Sequence, residues 1–303
     1  MEIQKLYEAT LSTNENTINK LHYKINKALV NLFYPKFGRC GYGLDNDHNV
    51  IISLTSYPAR IDTIYLTIRT LLNQTYKPKG VYLWLSDDQF PEREKSLPDS
   101  LLELQKYGLS IKFCDNLYPH KKYYYTILEN PDSAVVTVDD DVFYPENMLQ
   151  RLVETAEKYP DTVCCYWAHR VHPGNDAESL SYAKWSLEKE GYEPSYGIIP
   201  TGVGGVLYPP HCLAKEGFDK EAIRECALRT DDLWLKAMSV LNHKKAVRVA
   251  IPAKIPFAIV KTQKTGLYYE NVNHNNSADS WEKIIRKYPQ CAEILINEND
   301  TED

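Results

Sequence analysis

The chain has 303 residues, of which 43% are hydrophobic and 25% are charged, and its formal net charge is -6. This composition is typical of a globular protein, and the negative charge argues against a broad nucleic-acid surface. No apolar run approaches the roughly 20 residues of a membrane-spanning helix, and residues 1–16 lack the apolar core of a signal peptide. Seven scattered cysteines form neither a disulfide framework nor a C-x-x-C zinc motif, so we expect a cytoplasmic protein with reduced thiols.

The first predicted element is a basic amphipathic helix over residues 17–34. Its apolar side chains share one face, and they are Ile18, Leu21, Ile25, Ala28, Leu29 and Leu32. Its polar side carries Lys20, Lys24 and Lys27. Two interpretations stay open: the apolar face packs on the chain's own domain, or the helix lies on an anionic membrane surface. We favour packing, because amphipathic surface helices usually pack on their own domain.

From residue 49 onward, apolar segments with strand-like and helix-like spacing alternate. The predicted strands of this part are 50–54, 81–85, 110–114 and 134–138, and the helices are 61–72, 97–107, 121–129 and one that carries residues 148–156. This order predicts an α/β fold with a mostly parallel central sheet and helices on both faces.

The second half of the chain has a weaker pattern. The predicted elements are a strand at 163–167, a glycine-rich segment at 201–205 followed by a strand at 206–208, a helix at 230–241 and a strand at 246–251. We therefore predict an N-terminal helical extension (1–48), one domain (49–290) and a frayed tail (291–303).

Three consecutive aspartates, Asp139, Asp140 and Asp141, follow the apolar strand 134–138. They fall at its carboxyl end, the edge of an open α/β sheet where ligands bind. Because side chains alternate along an extended chain, we expect Asp139 and Asp141 to face one way and Asp140 to support the loop. Two carboxylates on one side suit a hard divalent cation. A solvated turn or a helix N-cap is the alternative, but the position after a buried strand favours the metal site.

Several segments, in this order, resemble those of GT-A-fold glycosyltransferases, and more narrowly those of bacterial surface-polysaccharide synthesis (lipopolysaccharide or capsule). The segments are Ile52–Arg60, His120–Tyr123, Val138–Asp141 with its D-x-D element, Gly204–Pro210 and Thr230–Leu235. The resemblance covers about residues 49–276. It implies a GT-A-like, Rossmann-like nucleotide-sugar half at 49–145 and an acceptor and catalytic half at 146–290.

The resemblance also implies a nucleotide-sugar donor, usually a UDP-sugar, and a Mn2+ or Mg2+ ion. It implies that the ion bridges Asp141 and the diphosphate, with Asp139 contacting the ribose or the ion. Such an ion is a Lewis acid for the negative charge that grows on the leaving diphosphate. His274 is our third metal ligand, because the fold often returns a C-terminal loop to this place; a solvated loop histidine is the alternative.

The candidate donor-binding residues lie in the same segments and at the end of the second strand. They are Thr55, Tyr57, Arg60, Asp87, Asp88, Lys121, Lys122, Asp139, Asp140, Gly204 and Gly205. Aromatic stacking on the base, a forked arginine contact to phosphate and lysine neutralisation of the diphosphate are the roles expected of Tyr57, Arg60 and the lysine pair. Surface positions, turns and a solvated helix start are the alternatives for these residues.

A second acidic pair, Asp231 and Asp232, follows Thr230 at a predicted helix start. Carboxylates at that place complement the helix dipole, and this is the structural interpretation. The functional interpretation makes Asp232 the general base that deprotonates the acceptor hydroxyl, with Asp231 as the alternate. Trp167 and Trp185 are candidates for an acceptor-sugar platform, and the alternative for both is the core.

The sequence thus predicts a metal-dependent, inverting glycosyltransferase that acts on a glycan or lipid-linked glycan, without a nucleic-acid partner. We expect it in the cytoplasm or at the inner face of the membrane, with peripheral contact through residues 17–34 as an option. Two other classes stay open. A sugar nucleotidyltransferase needs an early glycine-rich loop, which Thr55–Pro58 lacks. A non-catalytic, cation-dependent carbohydrate-binding protein would bind sugar without transferring it.

Overall fold

The computed structural model describes residues 1–11, 17–38, 41–172, 180–260, 262 and 276–298. The described strands are β1 Val50–Thr55, β2 Gly80–Ser86, β3 Leu109–Cys114, β4 Ala134–Thr137, β5 Val142–Phe143, β6 Val163–Arg170, β7 Ser186–Leu187, β8 Ile198–Tyr208, β9 Ala246–Arg248 and β10 Phe257–Ala258. The described α-helices are α1 Ile3–Glu8, α2 Thr17–Phe37, α3 Ile64–Leu72, α4 Asp99–Leu102, α5 Lys121–Glu129, α6 Met148–Lys158, α7 Lys220–Cys226, α8 Asp231–Leu241, α9 Asn276–Lys287 and α10 Pro289–Asn297.

A mixed sheet forms the centre of the described chain, in the order β3-β2-β1-β4-β8-β6-β7, with β9 paired to β6. The β3-β2-β1-β4 part is parallel, and Ile52 of β1 lies opposite Val81 of β2 and Val136 of β4. β8 runs antiparallel to both β4 and β6. The predicted α/β fold with a mostly parallel central sheet is confirmed, and the carboxyl ends of β1 and β4 meet at one edge.

Two hydrophobic cores lie on opposite sides of this sheet. One contains Ile52 and Leu54 of β1 with Leu71 of α3 and Leu149 of α6. The other contains Tyr123 of α5, Trp234 of α8 and Trp281 of α9. Because β1 and β4 are buried on both faces, their sequences are continuous apolar runs, which is the pattern of a parallel strand. The cores fix the starts of α5 and α8 beside the strand ends.

Three predicted elements of the chain differ in the structure. Residues 97–107 form the short α4 and a 3-10 turn instead of one helix. The glycine-rich segment 201–205 lies inside β8 instead of preceding a strand, and β8 pairs irregularly with β6 there, where the register shifts between Cys165 and Trp167. The frayed tail from residue 291 is wrong up to Asn297, since α10 buries Cys291 and Leu295 in the second core.

The N-terminal extension is helical, as predicted, and the main domain holds it in place. The Glu146 carboxylate accepts hydrogen bonds from the backbone N–H groups of Ile3 (2.8 Å) and Gln4 (2.5 Å) at the start of α1. α2 packs through Val30 and Tyr34, which are buried. No helix in the described ranges is long and apolar enough to cross a membrane.

The prediction that the apolar face of α2 packs on the domain is wrong. Its members are exposed by 62% at Ile18, 55% at Leu21, 47% at Ile25, 36% at Leu29 and 67% at Leu32. The helix uses a different face, which carries Tyr23, Val30 and Tyr34, for its contacts with the domain. Periodicity alone favoured the larger apolar face, whereas the fit of aromatic rings to the domain surface decided the orientation.

Candidate active site

A cavity of about 830 Å³ opens at the carboxyl edge of β1 and β4. Its volume is within the range of small-molecule binding sites. The cavity walls come from the turn after β1, the acidic triplet, the start of α5 and the start of α8. The predicted site residues that line it are Thr55, Tyr57, Arg60, Lys121, Lys122, Asp139, Asp140, Asp141, Trp167, Trp185, Asp231 and Asp232. The fold thus brings together segments that are far apart in the sequence.

Arg60 organises the acidic triplet from the neighbouring strand end. Its Nη1 donates to the Asp140 carboxylate, and its Nη2 lies 3.1 Å from Asp141 Oδ2. Asp140 also accepts a hydrogen bond of 2.5 Å from Ser56 Oγ. Asp140 is buried, so its carboxylate has the loop-supporting role expected of it. Both Nη groups of Arg60 are therefore engaged, and the forked contact to a phosphate is not available in this arrangement.

Lys122 joins the two acidic segments. Its Nζ lies 3.1 Å from Asp139 Oδ1 and 3.0 Å from Asp231 Oδ2, and its side chain is only 6% exposed. Burial alone lowers the pKa of a lysine, but the charges of Asp231 and Asp139 raise the pKa of Lys122 above its ordinary value. Lys121 is buried too and donates to Asn116 Oδ1 at 3.2 Å. The alternative of a solvated helix start is wrong for both lysines.

The two carboxylates at the start of α8 have different surroundings. Asp231 is paired with Lys122, whereas Asp232 Oδ1 accepts a hydrogen bond of 3.1 Å from the Gly202 N–H. Burial, followed by the charge of Asp231, raises the pKa of Asp232 to about 8. Asp232 is therefore the carboxylate that can exchange a proton near neutral pH.

The site has the ligand type that a hard divalent cation prefers, namely carboxylate oxygens. Burial, and then the charges of Asp140 and Asp139 acting against Arg60, raise the pKa of Asp141 to about 7. A bound cation would relieve this crowding of negative charge, and the Asp139 side chain, 33% exposed, is accessible to it. In the described ranges no cluster of three or more metal-ligating side chains occurs. Asp139 and Asp141 were expected to face one way, but Asp141 shares Arg60 with Asp140 whereas Asp139 pairs with Lys122. Their use as two ligands of one cation stays a prediction, and His274 lies outside the described residues.

Four predicted donor-binding residues lie away from the cavity. Asp87 pairs with Arg93 at 2.9 Å on the surface, and Asp88 accepts a hydrogen bond of 3.2 Å from Asn116 Nδ2. These aspartates belong to the turn that follows β2, which was the alternative considered for them, and neither lines the cavity.

Gly204 and Gly205 also face away from the cavity. A Cβ atom on Gly204 would lie 2.6 Å from Tyr166 Cβ, and one on Gly205 would lie 3.2 Å from Met148 Sδ. Gly205 also has a φ of 93°, a backbone angle that residues other than glycine rarely adopt. Close packing and backbone conformation in β8 therefore explain these glycines, and neither of them lines the cavity.

Gly202 and Tyr144, which were not predicted as site residues, support the charged groups. Gly202 is the glycine of the 201–205 segment that touches the site, because a Cβ there would lie 3.2 Å from Asp139 Oδ1, 3.3 Å from Lys122 Nζ and 3.4 Å from Asp232 Oδ1. The Tyr144 hydroxyl accepts a hydrogen bond of 2.8 Å from the Asp139 N–H. The glycine-rich composition was a usable signal for Gly202, whereas nothing in the local sequence marks Tyr144.

Two tryptophans, Trp167 and Trp185, line the same cavity as the charged groups. Trp185 packs edge-on against Trp281 with ring centroids 5.0 Å apart, and its Nε1 donates to the Leu180 carbonyl at 3.2 Å. Trp167 belongs to β6. A fixed aromatic surface suits the apolar face of a sugar ring, and the acceptor role of this pair stays a prediction.

No protein-family model and no curated protein matches the chain. Solved structures do match. One is TarS 1-349 from S. aureus in complex with UDP, at a TM-score of 0.47 and 13% identity, covering 82% of this chain and 69% of that one. Another is the mannosyltransferase PcManGT from Pyrobaculum calidifontis in complex with GDP-Man and Mn2+, at a TM-score of 0.45 and 11% identity, covering 99% of this chain and 82% of that one. The chain is similar to these proteins. At such low identities, the function has to be inferred from its own site.

The contacts of Gly202 lead to a first prediction. In a Gly202→Ala variant, the added methyl group presses on Asp139, Lys122 and Asp232, so we expect donor binding to weaken by about tenfold, since small displacements of positioned groups are costly. Isothermal titration with a nucleotide sugar would measure the change. Gly43→Ala is the control, because a Cβ there meets nothing within 4 Å. Equal affinity in the two variants would contradict the placement of Gly202.

Proposed function

We propose that the protein is a metal-dependent glycosyltransferase that moves a sugar from a nucleotide sugar, a UDP-sugar, to a hydroxyl group of a glycan acceptor with inversion. The observation that carries the proposal is the single charged network in the cavity. In it, Lys122 connects Asp139 of the acidic triplet with Asp231, the neighbour of Asp232. A donor-binding carboxylate set and a candidate base therefore share one cavity large enough for both substrates.

The donor's diphosphate has a cationic wall to bind to. Arg60 lines the cavity, and its positive charge faces the diphosphate while its Nη groups hold the aspartates. Lys121, which lines the cavity, adds a second positive charge. Tyr57 stands over Arg60 at 5.5 Å from its guanidinium, where its ring can also stack on a base.

In this proposal Asp139 and Asp141 hold the Mn2+ or Mg2+ ion. When bound, the ion supplies a Lewis acid for the charge that develops on the leaving diphosphate. The protein's own cations, Arg60 and Lys122, hold the carboxylates in place before the donor arrives. Since a preorganised site need not rearrange during the reaction, this arrangement favours catalysis.

Asp232 acts as the general base. The acceptor's O–H proton passes to the Asp232 carboxylate, and the acceptor oxygen forms a bond to the anomeric carbon. The bond from that carbon to the diphosphate oxygen breaks, and the nucleoside diphosphate leaves with the electron pair. Asp232 suits this task better than Asp231, because its raised pKa of about 8 matches a proton acceptor at neutral pH, whereas Asp231 is engaged in an ion pair with Lys122.

The setting that we propose is bacterial surface-polysaccharide synthesis on the cytoplasmic side. It rests on the sequence segments that resemble enzymes of that process. A sugar nucleotidyltransferase is disfavoured because the turn after β1 carries Tyr57 and Pro58 where a triphosphate would need a glycine-rich loop. A carbohydrate-binding protein without activity has no need of a buried carboxylate with a raised pKa, such as that of Asp232.

A donor screen tests the proposed function directly. With Mn2+ present, we expect at least one member of a UDP-, GDP-, CMP- and dTDP-sugar panel to bind and to be hydrolysed slowly, with UDP-sugars preferred. EDTA should abolish hydrolysis, because Asp139 and Asp141 would then face the diphosphate without a cation. Calorimetry and chromatography of the released nucleotide give the measurements. Absence of binding by every donor would refute the proposal, and binding without turnover of donor or acceptor would favour a binding protein.

The base assignment predicts the behaviour of an Asp232→Asn variant. We expect its transfer rate to fall by about 100-fold or more, with donor affinity nearly unchanged, since a general base typically contributes that much. The transfer rate of the wild-type protein should rise with pH toward an apparent pKa near 8, the value to which burial raises the pKa of Asp232. The variant should lack this pH-dependent rise. An Asp47→Asn change at an exposed position is the control. Transfer by the Asp232→Asn protein at the wild-type rate would exclude this base.

The same carboxylate should also affect stability. A carboxyl group whose pKa is raised on folding stabilises the folded state fully only at low pH, and its contribution is lost as pH rises from about 4 to about 8. We therefore expect the melting temperature of the Asp232→Asn variant to rise relative to the wild type between pH 6 and pH 9. Differential scanning fluorimetry over this range would measure it. A constant difference would mean that Asp232 titrates at an ordinary pKa.

A further inference from the structure

The long helix α2 exposes an apolar surface that the proposed reaction does not use. This apolar stripe consists of Ile18, Leu21, Ile25, Leu29 and Leu32, each at least 36% exposed. Their spacing of three or four residues places them along one side of the helix. Single exposed apolar residues are ordinary, but a contiguous row marks an interaction surface.

The opposite side of α2 contacts the domain, so the apolar stripe faces away from it. The Tyr23 hydroxyl donates to the Pro256 carbonyl at 3.2 Å, and Asn31 Nδ2 donates to the Ala258 carbonyl at 3.1 Å. Val30 and Tyr34 are fully buried between these contacts. Since this face holds the helix on the domain, the apolar stripe cannot turn inward without breaking it.

The charge of α2 indicates what the stripe contacts. The helix contains Lys20, Lys24, Lys27 and Lys36 and neither Asp nor Glu, although the whole chain has a net charge of -6. At about 100° per residue, Lys24 lies about 60° from the edge of the stripe and Lys36 falls within it, whereas Lys20 and Lys27 lie nearer the buried face. An exposed apolar row on a helix whose charged side chains are all lysines matches the interface of an anionic bilayer, with acyl chains below and phosphate groups above.

We propose that α2 docks the protein on an anionic lipid surface, with its axis in the plane of the membrane. The apolar stripe enters the boundary between headgroups and acyl chains, and the lysines contact the lipid phosphates. With 21 residues, the helix is about 31 Å long at about 1.5 Å per residue, which provides several turns of contact without crossing the membrane.

The docked helix would place the cavity close to the lipid. The segment on which α2 packs includes Ile255, which is 37% exposed, and Ala258, and both line the cavity. The exposed Val260 of the same segment donates its N–H to Asn31 of α2 at 2.8 Å. If the proposed function holds, an acceptor carried on a membrane lipid can reach the site, so this step rests on that function whereas membrane docking does not.

Vesicle binding tests the proposal without any substrate. We expect the full chain to float with vesicles of phosphatidylcholine containing about 30% phosphatidylglycerol and much less with phosphatidylcholine alone, and binding to weaken at high salt. A variant with Leu21→Gln, Ile25→Gln and Leu32→Gln should lose binding by about tenfold or more. Lys20→Gln, Lys24→Gln, Lys27→Gln and Lys36→Gln together should remove the preference for anionic lipid.

Matched controls separate docking from folding. Leu128→Gln alters a residue that is 53% exposed on α5, and it should bind vesicles like the wild type. The α2 variants should keep the wild-type melting temperature and donor binding in solution, because the altered side chains make few contacts. These readouts distinguish failure of docking from failure of the proposed reaction.

Two results would overturn the proposal. One is wild-type protein that floats with neither kind of vesicle, or α2 variants that still bind anionic vesicles like the wild type. The other is a dimer in light scattering that the Leu21→Gln, Ile25→Gln, Leu32→Gln change dissociates, since the stripe would then be covered by a second copy of the chain.

Discussion

The buried ammonium group of Lys122 is the interaction on which the site depends. It lies about midway between a carboxylate after β4 and one at the start of α8, at 3.1 Å from Asp139 and 3.0 Å from Asp231. Removing one partner of a buried ion pair leaves an uncompensated charge, which is strongly unfavourable. The two halves of the cavity are therefore coupled electrostatically as well as by the shared sheet.

Arg60 holds two carboxylates of the acidic triplet together, as Lys122 holds Asp139 and Asp231 together. Its contacts with Asp140 and Asp141, together with the hydrogen bond from Ser56, allow three successive carboxylates to occupy one bend. Burial and the charge of Asp231 raise the pKa of Asp232 to about 8, while Asp231 pairs with Lys122. Neighbouring carboxylates thus obtain different chemical properties from their surroundings.

The domain that forms the cavity also holds the N-terminal helices α1 and α2 in place. Glu146, which follows the acidic triplet, binds the first N–H groups of α1, and the segment around Ala258 holds α2. The elements that border the cavity are hence the elements that position the basic helix. The proposed lipid-binding surface of α2 is therefore held close to the cavity.

Sequence patterns determined the β-α alternation, the parallel half of the sheet and the meeting of Asp139–Asp141 with Lys122 and Asp232, because buried strands and amphipathic helices have clear apolar periods. They did not separate Gly202 from Gly204, or the cavity-lining Lys121 from Asp87 on the surface, since these differences arise from long-range packing. The exposed side of α2 was likewise decided by tertiary contacts, as Tyr23, Asn31 and Tyr34 fit the domain better than the more hydrophobic stripe. Local sequence sets which elements form and where charges fall along them, whereas the three-dimensional fit of side chains decides which charges meet and which faces remain open.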